Sequence, residues 1–570
     1  MPIRSDLTRG TRPLLWAVLG VGVVFRLISF LDRRSLWYDE AMLSVNVLTR
    51  SWSGLLQPLD YEQAAPVPFL WAQKVLVQIA GVNEYSLRFL SLVAGLLVVL
   101  MVWRLTREVF AETEALVATA LVSLSPMLIR YSNEAKPYEV DALVAVLLVL
   151  AAIWVVEDPA PVRRWIVLTC AGVGGLILSI PALFVVAAVG AGLVCAPKVR
   201  AVPGWLGRIT AVGSAWVATF ALQYVFIYQY SAANHPLILY AWEFNFLRPN
   251  APDILERLSF AVTATMSGFL LGTLDEGRWG PVIMAGVTIH TLAAVVLSLL
   301  GLVTIARQRG VWLVVMLAGG VVAAAGASAV EKYPISVRLM LFVAPFVLMA
   351  LSLGIVQAAA WLSARHRRAA VVLLAAAFVG PAFARGVLTS IAPIRRQDAR
   401  EVVEELQRRR TGRDAVYIYP HAVPSWAFYS PDWSAPEFGR LRWLADIARA
   451  GGPAFPANPS RERAVVNEGQ NLVYSHGDWL ELIGVPTGRV ERWGYGGGKA
   501  PDDGWAENEA TRMRSAGNRV WLFFVPINPG DREPNLSQLQ AALERRRGVK
   551  RFEFHRREAD LYLYEFPSVP

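Results

Sequence analysis

Two neighbouring carboxylates, Asp39 and Glu40, are the residues of this chain best placed to do chemistry. They stand in Leu36-Trp37-Tyr38-Asp39-Glu40-Ala41, almost directly after the first long apolar stretch, residues 14–31. Two like charges beside a low-dielectric medium raise each other's proton affinity and cost desolvation energy, so the pair is expensive to keep there. Trp37 and Tyr38 are aromatics of the interfacial type and put the acids at the edge of a bilayer. A carboxylate at that depth can accept a proton in chemistry on a lipid-borne substrate. The same dipeptide can also do no more than end a helix at the water surface, and alone it leaves both readings open. A second cluster, Ile129 to Glu139, packs two bases (Arg130, Lys136), two acids (Glu134, Glu139) and two tyrosines (Tyr131, Tyr138) between adjacent apolar stretches.

The elements that must carry these residues follow from composition. Of the 570 residues 55% are hydrophobic, and the mean hydropathy is +0.40. That is the make-up of a polytopic membrane protein with a soluble part attached. Stretches able to cross roughly 30 Å of hydrocarbon fall near 14–31, 87–103, 115–129, 140–156, 165–180, 182–196, 209–228, 282–306, 311–329, 337–361 and 369–390. The first is long and no small-x-small cleavage site follows it, so a retained span is expected rather than a cleaved signal peptide.

Basic residues set the expected orientation. Arg4, Arg9 and Arg12 precede the first span. With that end cytoplasmic, the later cytoplasmic loops carry Arg104 and Arg107, Arg163 and Arg164, Lys198, Arg200 and Arg208, Arg307 and Arg309, and the cluster Arg365 to Arg368. The opposite loops carry Asp39, Glu40, Glu62, Glu84, Glu134, Asp253, Asp275, Glu276 and Glu331. Eleven spans with the N-terminus inside and the C-terminus outside satisfy every loop. A further crossing at 253–272 would invert the later ones, so that stretch is expected to lie in the interface. The net charge of +10 is therefore mostly topological and is not read as nucleic-acid binding. Cys170 and Cys195 sit inside apolar stretches and suggest no disulfide. The six histidines lack metal-ligand spacing, so no metal and no cofactor is expected.

A boundary falls near 391–396. Residues 1–394 are expected to form the membrane module, with long outer loops at 32–86 and 229–281, and residues 395–570 a soluble α/β domain. In the tail, 398–410 and 536–546 have helical periodicity, while 415–419, 520–525 and 561–564 read as strands. Residues 494–500 are glycine-rich without phosphate-loop spacing and read as a loop. Residues 69–80 are apolar but too short to span and are expected along the membrane surface.

Trp37-Tyr38-Asp39-Glu40-Ala41 resembles the first-loop motif of the GT-C glycosyltransferases, notably the protein O-mannosyltransferase, aminoarabinose transferase and galacturonosyltransferase-like groups. Ala65-Pro66-Val67-Pro68-Phe69-Leu70 looks like a degraded His-Pro-Pro-Leu-Tyr segment of that family, with Ala65 near the place of the histidine. Asn83 to Ser91 is similar to the opening of its second span, Ser125 to Tyr138 to its second-loop motif, and Tyr333-Pro334-Ile335-Ser336-Val337-Arg338 to its late arginine-containing helix start. The resemblance covers most of the membrane part and little of the tail. With the spans and tail read above, the expected fold class is a mostly α polytopic membrane protein of about eleven helices, of GT-C type by this resemblance, with a C-terminal extracytoplasmic α/β domain. The resemblance also implies a sugar donor carried on a polyprenyl phosphate, transfer on the outer face of the inner (plasma) membrane, usually with inversion, and a glycan, lipid or protein acceptor.

Such a transfer needs a base for the acceptor hydroxyl, negative charge near an oxocarbenium-like transition state, and cations for the phosphate leaving group. Asp39 is the candidate base, Glu40 its orienting neighbour and Glu134 a second acid. An ion pair to Arg130 or Lys136 is the simpler account of Glu134. Arg338 and Lys136 lead the phosphate-binding candidates, followed by Lys332, Arg130 and Arg88; snorkelling to headgroups is the competing account for each. Trp37, Tyr38, Tyr131 and Tyr138 are candidate substrate contacts. His235, in the third outer loop, reads as a solvated histidine. In the tail Tyr417, Tyr419, Trp426, Tyr429 and Trp433 could offer faces for sugar stacking; Tyr417 and Tyr419 suit a core, whereas Trp426 and Trp433 read as the exposed pair. Two other classes remain open: a transporter or flippase of a lipid-linked sugar, and a non-catalytic scaffold. Within the enzyme class an O-antigen-ligase-like transferase with a diphosphate donor is the alternative.

Overall fold

The computed structural model describes residues 11–59, 61, 63–228, 242–272, 281–392, 397–411, 414–419, 422–429, 473–476, 479–483, 504–525 and 532–567. His235, Trp433 and the glycine-rich loop at 494–500 lie outside them. The chain divides into two compact units. One comprises Met1–Arg33, Ala65–Gln229 and Trp242–Pro393; the other comprises Arg34–Ala64, Tyr230–Ala241 and Ile394–Pro570.

In chain order the helices are α1 (Thr11–Leu31), α2 (Tyr38–Thr49), α3 (Val67–Ala80), α4 (Glu84–Val109), α5 (Glu112–Leu124), α6 (Pro126–Tyr131), α7 (Tyr138–Glu157), α8 (Val162–Leu178), α9 (Ala182–Cys195), α10 (Pro197–Arg200) and α11 (Trp205–Gln223). They continue with α12 (Ile254–Leu271), α13 (Pro281–Arg309), α14 (Val311–Ala329), α15 (Ala344–Ala360) and α16 (Ala364–Ile391). All but α2 belong to the first unit. Among the described residues nine helices are long and apolar enough to cross a membrane. Eight of these cover stretches expected to span. The ninth, Ile254–Leu271, is the stretch that the loop charges assign to the interface, and by length and composition it qualifies as a span. The expected spans at 115–129, 165–180 and 182–196 are shorter helices: a proline interrupts the first, and prolines bound the other two. Pro126 opens α6 with only Ser125 between it and the end of α5 at Leu124, and Pro181 and Pro197 bracket α9.

Glycines set how closely these helices approach. A Cβ at Gly301 of α13 would land on the carbonyl of Ala350, and one at Gly354 of α15 on that of Leu297. The two backbones therefore touch through reciprocal glycines. Where α5 breaks, Ser125 Oγ donates to Phe269 O of α12 at 2.7 Å, so the broken helix is buttressed by a neighbour.

The second unit contains α17 (Ala399–Arg409), β1 (Ala415–Ile418), α18 (Val423–Tyr429), β2 (Val473–His476), β3 (Trp479–Ile483), α19 (Trp505–Ala516), β4 (Arg519–Phe524), α20 (Arg532–Arg545), β5 (Val549–Arg556) and β6 (Ala559–Glu565). The strands form one mixed sheet in the order β2-β3-β1-β4-β6-β5, with β1 parallel to both β3 and β4. Central strands β1 and β4 are buried almost throughout, as their unbroken runs Ala-Val-Tyr-Ile and Val-Trp-Leu-Phe-Phe require. Asp414 ties their beginnings together. It accepts from Thr411 N at 3.0 Å, Trp521 Nε1 at 2.8 Å and Arg519 Nε at 2.9 Å. Burial opposes its charge, yet these bonds win and hold the carboxyl below its usual range.

Tyr417 and Tyr419 are core residues, as expected. Trp426 corrects the expectation of an exposed stacking face: it is fully buried against Phe523, because α18 turns its apolar side onto the sheet. Val45 of α2 joins the same core, so part of the first long loop folds with the tail.

Candidate active site

The carboxylate motif opens α2. Tyr38, Asp39 and Glu40 form its first turn, where acidic residues complement the helix dipole. Asp39 is 7% exposed and Glu40 fully buried. Glu40 Oε2 accepts from Trp37 N–H at 3.4 Å, so it caps the helix that it helps begin. The backbone donors of a helix start lack partners within the helix, and here the tail supplies them. Leu36 N donates to Tyr429 Oη at 2.7 Å, and Tyr38 N donates to Gln397 Oε1 at 2.5 Å. In return Arg400 N donates to Ser35 Oγ at 3.4 Å. The segment on either side of Asp39 is thus held by residues more than 350 positions away in sequence. Trp37 is half-buried and Tyr38 buried.

The second cluster lies in the membrane unit, on α6 and the turn before α7. Arg130 Nε pairs with Glu134 Oε1 at 2.8 Å, with Glu134 1% exposed. Burial weakens the hold of Arg130 on its proton, but Glu134 and Tyr131 outweigh it and raise the guanidinium above its ordinary value. Glu134 is therefore a buried, arginine-paired carboxylate. Removal of either partner would strand a charge. Tyr131 and Tyr138 meet edge to face at 5.1 Å. The turn between them is pinned to α4: Ser91 Oγ donates to Lys136 O at 2.9 Å. Gly95 is required there, since a Cβ would collide with Ser132. Lys136 and Arg88 are buried.

Arg338 stands in a turn before α15, not in the helix itself. Its guanidinium lies 4.7 Å from the ring centroid of Trp242. Asn245 clips this turn through two bonds with Ile335, its carbonyl accepting from Ile335 N and its Nδ2 donating to Ile335 O, both at 2.8 Å. Tyr333 Oη donates to Leu339 O at 2.7 Å. Burial, then Asp141 and Tyr138, push the Tyr333 hydroxyl far above its usual range, so it stays a donor. The positive charge of Arg338 reaches Arg130, and that of Arg130 reaches Arg385 on α16. Three arginines and Glu134 thus form one electrostatic group. Lys332 is exposed next to the same turn.

Sequence reasoning missed the parts played by Trp242, Asn245, Gln397 and Tyr429, each of which acts on a partner far away in the chain. Arg385 and Arg26 did leave a signal, as charges inside apolar stretches. Arg26 of α1 is fully buried and donates from Nη1 to Gly22 O at 3.0 Å and Ser123 O at 2.8 Å; Glu139 on α7 is buried too. Among the described residues no group of three or more His, Cys, Asp or Glu could hold a metal ion.

Residues 64–234 match the family model described as dolichyl-phosphate-mannose-protein mannosyltransferase. No curated protein matches the chain. The crystal structure of ArnT from Cupriavidus metallidurans bound to undecaprenyl phosphate is similar to it along nearly the whole length, with a TM-score of 0.51 at 13% identity over 98% of this chain and 99% of that one. This chain has the GT-C fold. The apo form of the same ArnT gives a TM-score of 0.49 at 12% identity, over 97% of this chain and 98% of that one. The apo oligosaccharyltransferase of Archaeoglobus fulgidus gives 0.41 at 14%, over 71% of this chain and 59% of that one. The GT-C fold, the partial family match and the apolar helices make this a multi-pass membrane protein and together indicate a glycosyltransferase.

Proposed function

We propose that this protein transfers a sugar from a polyprenyl-phosphate donor to a hydroxyl of a glycolipid, polysaccharide or protein on the outer face of the plasma membrane, with inversion. The observation that carries the reading is the Asp39–Glu40 start of α2, a nearly buried carboxylate on a backbone held at two points. Asp39 takes the proton of the acceptor hydroxyl as its oxygen bonds to the sugar's anomeric carbon. The bond from that carbon to the phosphate oxygen breaks, and its electron pair leaves with the polyprenyl phosphate. Cations, not a general acid, serve this leaving group. Arg338 and Lys136 are assigned to it, with Arg130 kept charged by Glu134. Glu40 orients the base through the helix start. The binding of undecaprenyl phosphate by ArnT, a protein of the same fold, supports the donor class.

The test reconstitutes the full chain in vesicles containing envelope acceptors. It offers one sugar on polyprenyl monophosphate, on polyprenyl diphosphate or on a nucleotide. Glycosylated product with release of polyprenyl phosphate is expected from the monophosphate alone. Consumption of only the diphosphate donor would replace the donor class. Movement of donor across the bilayer without product would replace transfer by transport.

The tail contacts make a further prediction. Gln397→Ala and Tyr429→Phe each remove one backbone partner beside Asp39. Each should lower kcat by about two- to tenfold, the worth of one hydrogen bond, with donor KM unchanged. Gln397→Glu, which retains the acceptor oxygen, should restore much of the loss. A change confined to KM, or none, would separate the tail from the chemistry.

A further inference from the structure

Helices α8, α9 and α11 of the membrane unit enclose an open-sided cavity of about 320 Å³, walled by Leu176, Leu183, Val186, Leu193, Trp216 and Phe220 among other apolar groups. Gly190 of α9 and Gly213 of α11 line it, and a Cβ at either would meet nothing within 4 Å. These glycines leave a groove that larger side chains would fill. On α9 the lining runs from Leu183 to Val194, and on α11 from Ile209 to Phe220. Eleven steps at 1.5 Å each make about 16 Å, close to half of a hydrocarbon core about 30 Å thick. The groove is one leaflet deep.

One end of it is basic. There α8 begins, α9 ends and α11 begins, and the connecting segments carry Arg163, Arg164, Lys198, Arg200 and Arg208 against Glu157 and Asp158, an excess of three positive charges. Arg208 Nη1 donates to Pro159 O at 2.6 Å and Ala160 O at 2.9 Å. Lys198 Nζ donates to Glu157 O at 3.4 Å, and Arg164 pairs with Asp158 at 3.4 Å. Arg163 and Arg164 lie over the ring of Trp154, and Arg208 over that of Trp165. Tryptophans under cations mark a membrane–water interface, where an excess of Lys and Arg attracts anionic headgroups. Arg200 and Lys198 are exposed and can reach a phosphate without giving up a buried contact.

We propose that this groove binds an anionic glycerophospholipid. One acyl chain lies across Gly190 and Gly213, and the headgroup phosphate meets Lys198 and Arg200. The depth of one leaflet suits a glycerophospholipid chain, and the charged rim selects an anionic head. The inference is independent of the proposed transfer reaction.

The test uses the purified full chain, stripped of lipid and titrated with phosphatidylglycerol or phosphatidylcholine of identical chains, read by native mass spectrometry and by Tm. Phosphatidylglycerol should be retained as a one-to-one adduct and raise Tm, and phosphatidylcholine should not. Lys198→Gln with Arg200→Gln should bring the two lipids level. Gly190→Leu with Gly213→Leu should weaken retention about tenfold, the worth of roughly two displaced methylenes. A phosphatidylglycerol with a photoreactive acyl chain should label α9 and α11 of the unaltered protein, so the proposal does not depend on the variants folding. Equal retention of both lipids, labelling spread evenly over the membrane helices, or displacement of phosphatidylglycerol by polyprenyl phosphate at equal concentration would each overturn it.

Discussion

Asp39→Asn is expected to abolish sugar transfer while leaving the protein folded and inserted. The amide has the carboxylate's shape, so α2 still starts at Tyr38 and keeps its bonds to Gln397 and Tyr429. What is lost is the proton acceptor, and the loss of a positioned general base costs about 100-fold or more. Glu40→Gln should be much milder, because the amide oxygen can still accept from Trp37 N–H. The measurement is single-turnover transfer from the lipid-linked donor, with the Tm of each variant recorded alongside. Near-wild-type turnover by Asp39→Asn would remove Asp39 from the chemistry. An inactive Asp39→Asn beside a fully active Gln397→Ala would retain the base and discard only the tail's part in holding it.

Arg338→Ala should raise the donor concentration needed for half-maximal transfer and leave the acceptor requirement alone. A charge-assisted contact to phosphate contributes about 1.5–3 kcal/mol, which corresponds to roughly 10- to 150-fold in donor dependence. Arg338→Lys should recover part of it, since lysine keeps the charge but loses the planar fork and the stacking over Trp242. Trp242→Ala should have a smaller effect in the same direction, because it loosens the guanidinium without removing it. The experiment is a donor titration at fixed acceptor, repeated with the two exchanged. A raised acceptor requirement with unchanged donor dependence would move Arg338 to the acceptor side.

By itself the sequence determined the elements whose signals are local. Apolar stretches about twenty residues long specify membrane helices because every backbone polar group in hydrocarbon must be satisfied within the helix. Eight expected spans therefore stand where their apolar runs lie. In the tail the runs at 415–419, 520–525 and 561–564 became strands β1, β4 and β6 for the same kind of reason, an unbroken apolar run suited to a buried sheet. The site motifs were legible as residue types: adjacent acids after a first span, and bases with tyrosines after a third. What only the tertiary structure decided depends on partners far apart in the chain. Nothing near Asp39 announces Tyr429 or Gln397, which lie 393 and 359 residues from the backbone donors they meet. No periodicity distinguishes a buried Trp426 from an exposed one, since burial depends on the sheet that α18 covers. Glu134 could be read as a surface ion pair or a free acid. Its burial with Arg130 follows from the close approach of α4 at Gly95 and the pinning of the turn by Ser91. Side-chain environment is a sum over long-range contacts, and a linear pattern carries only the short-range part of that sum.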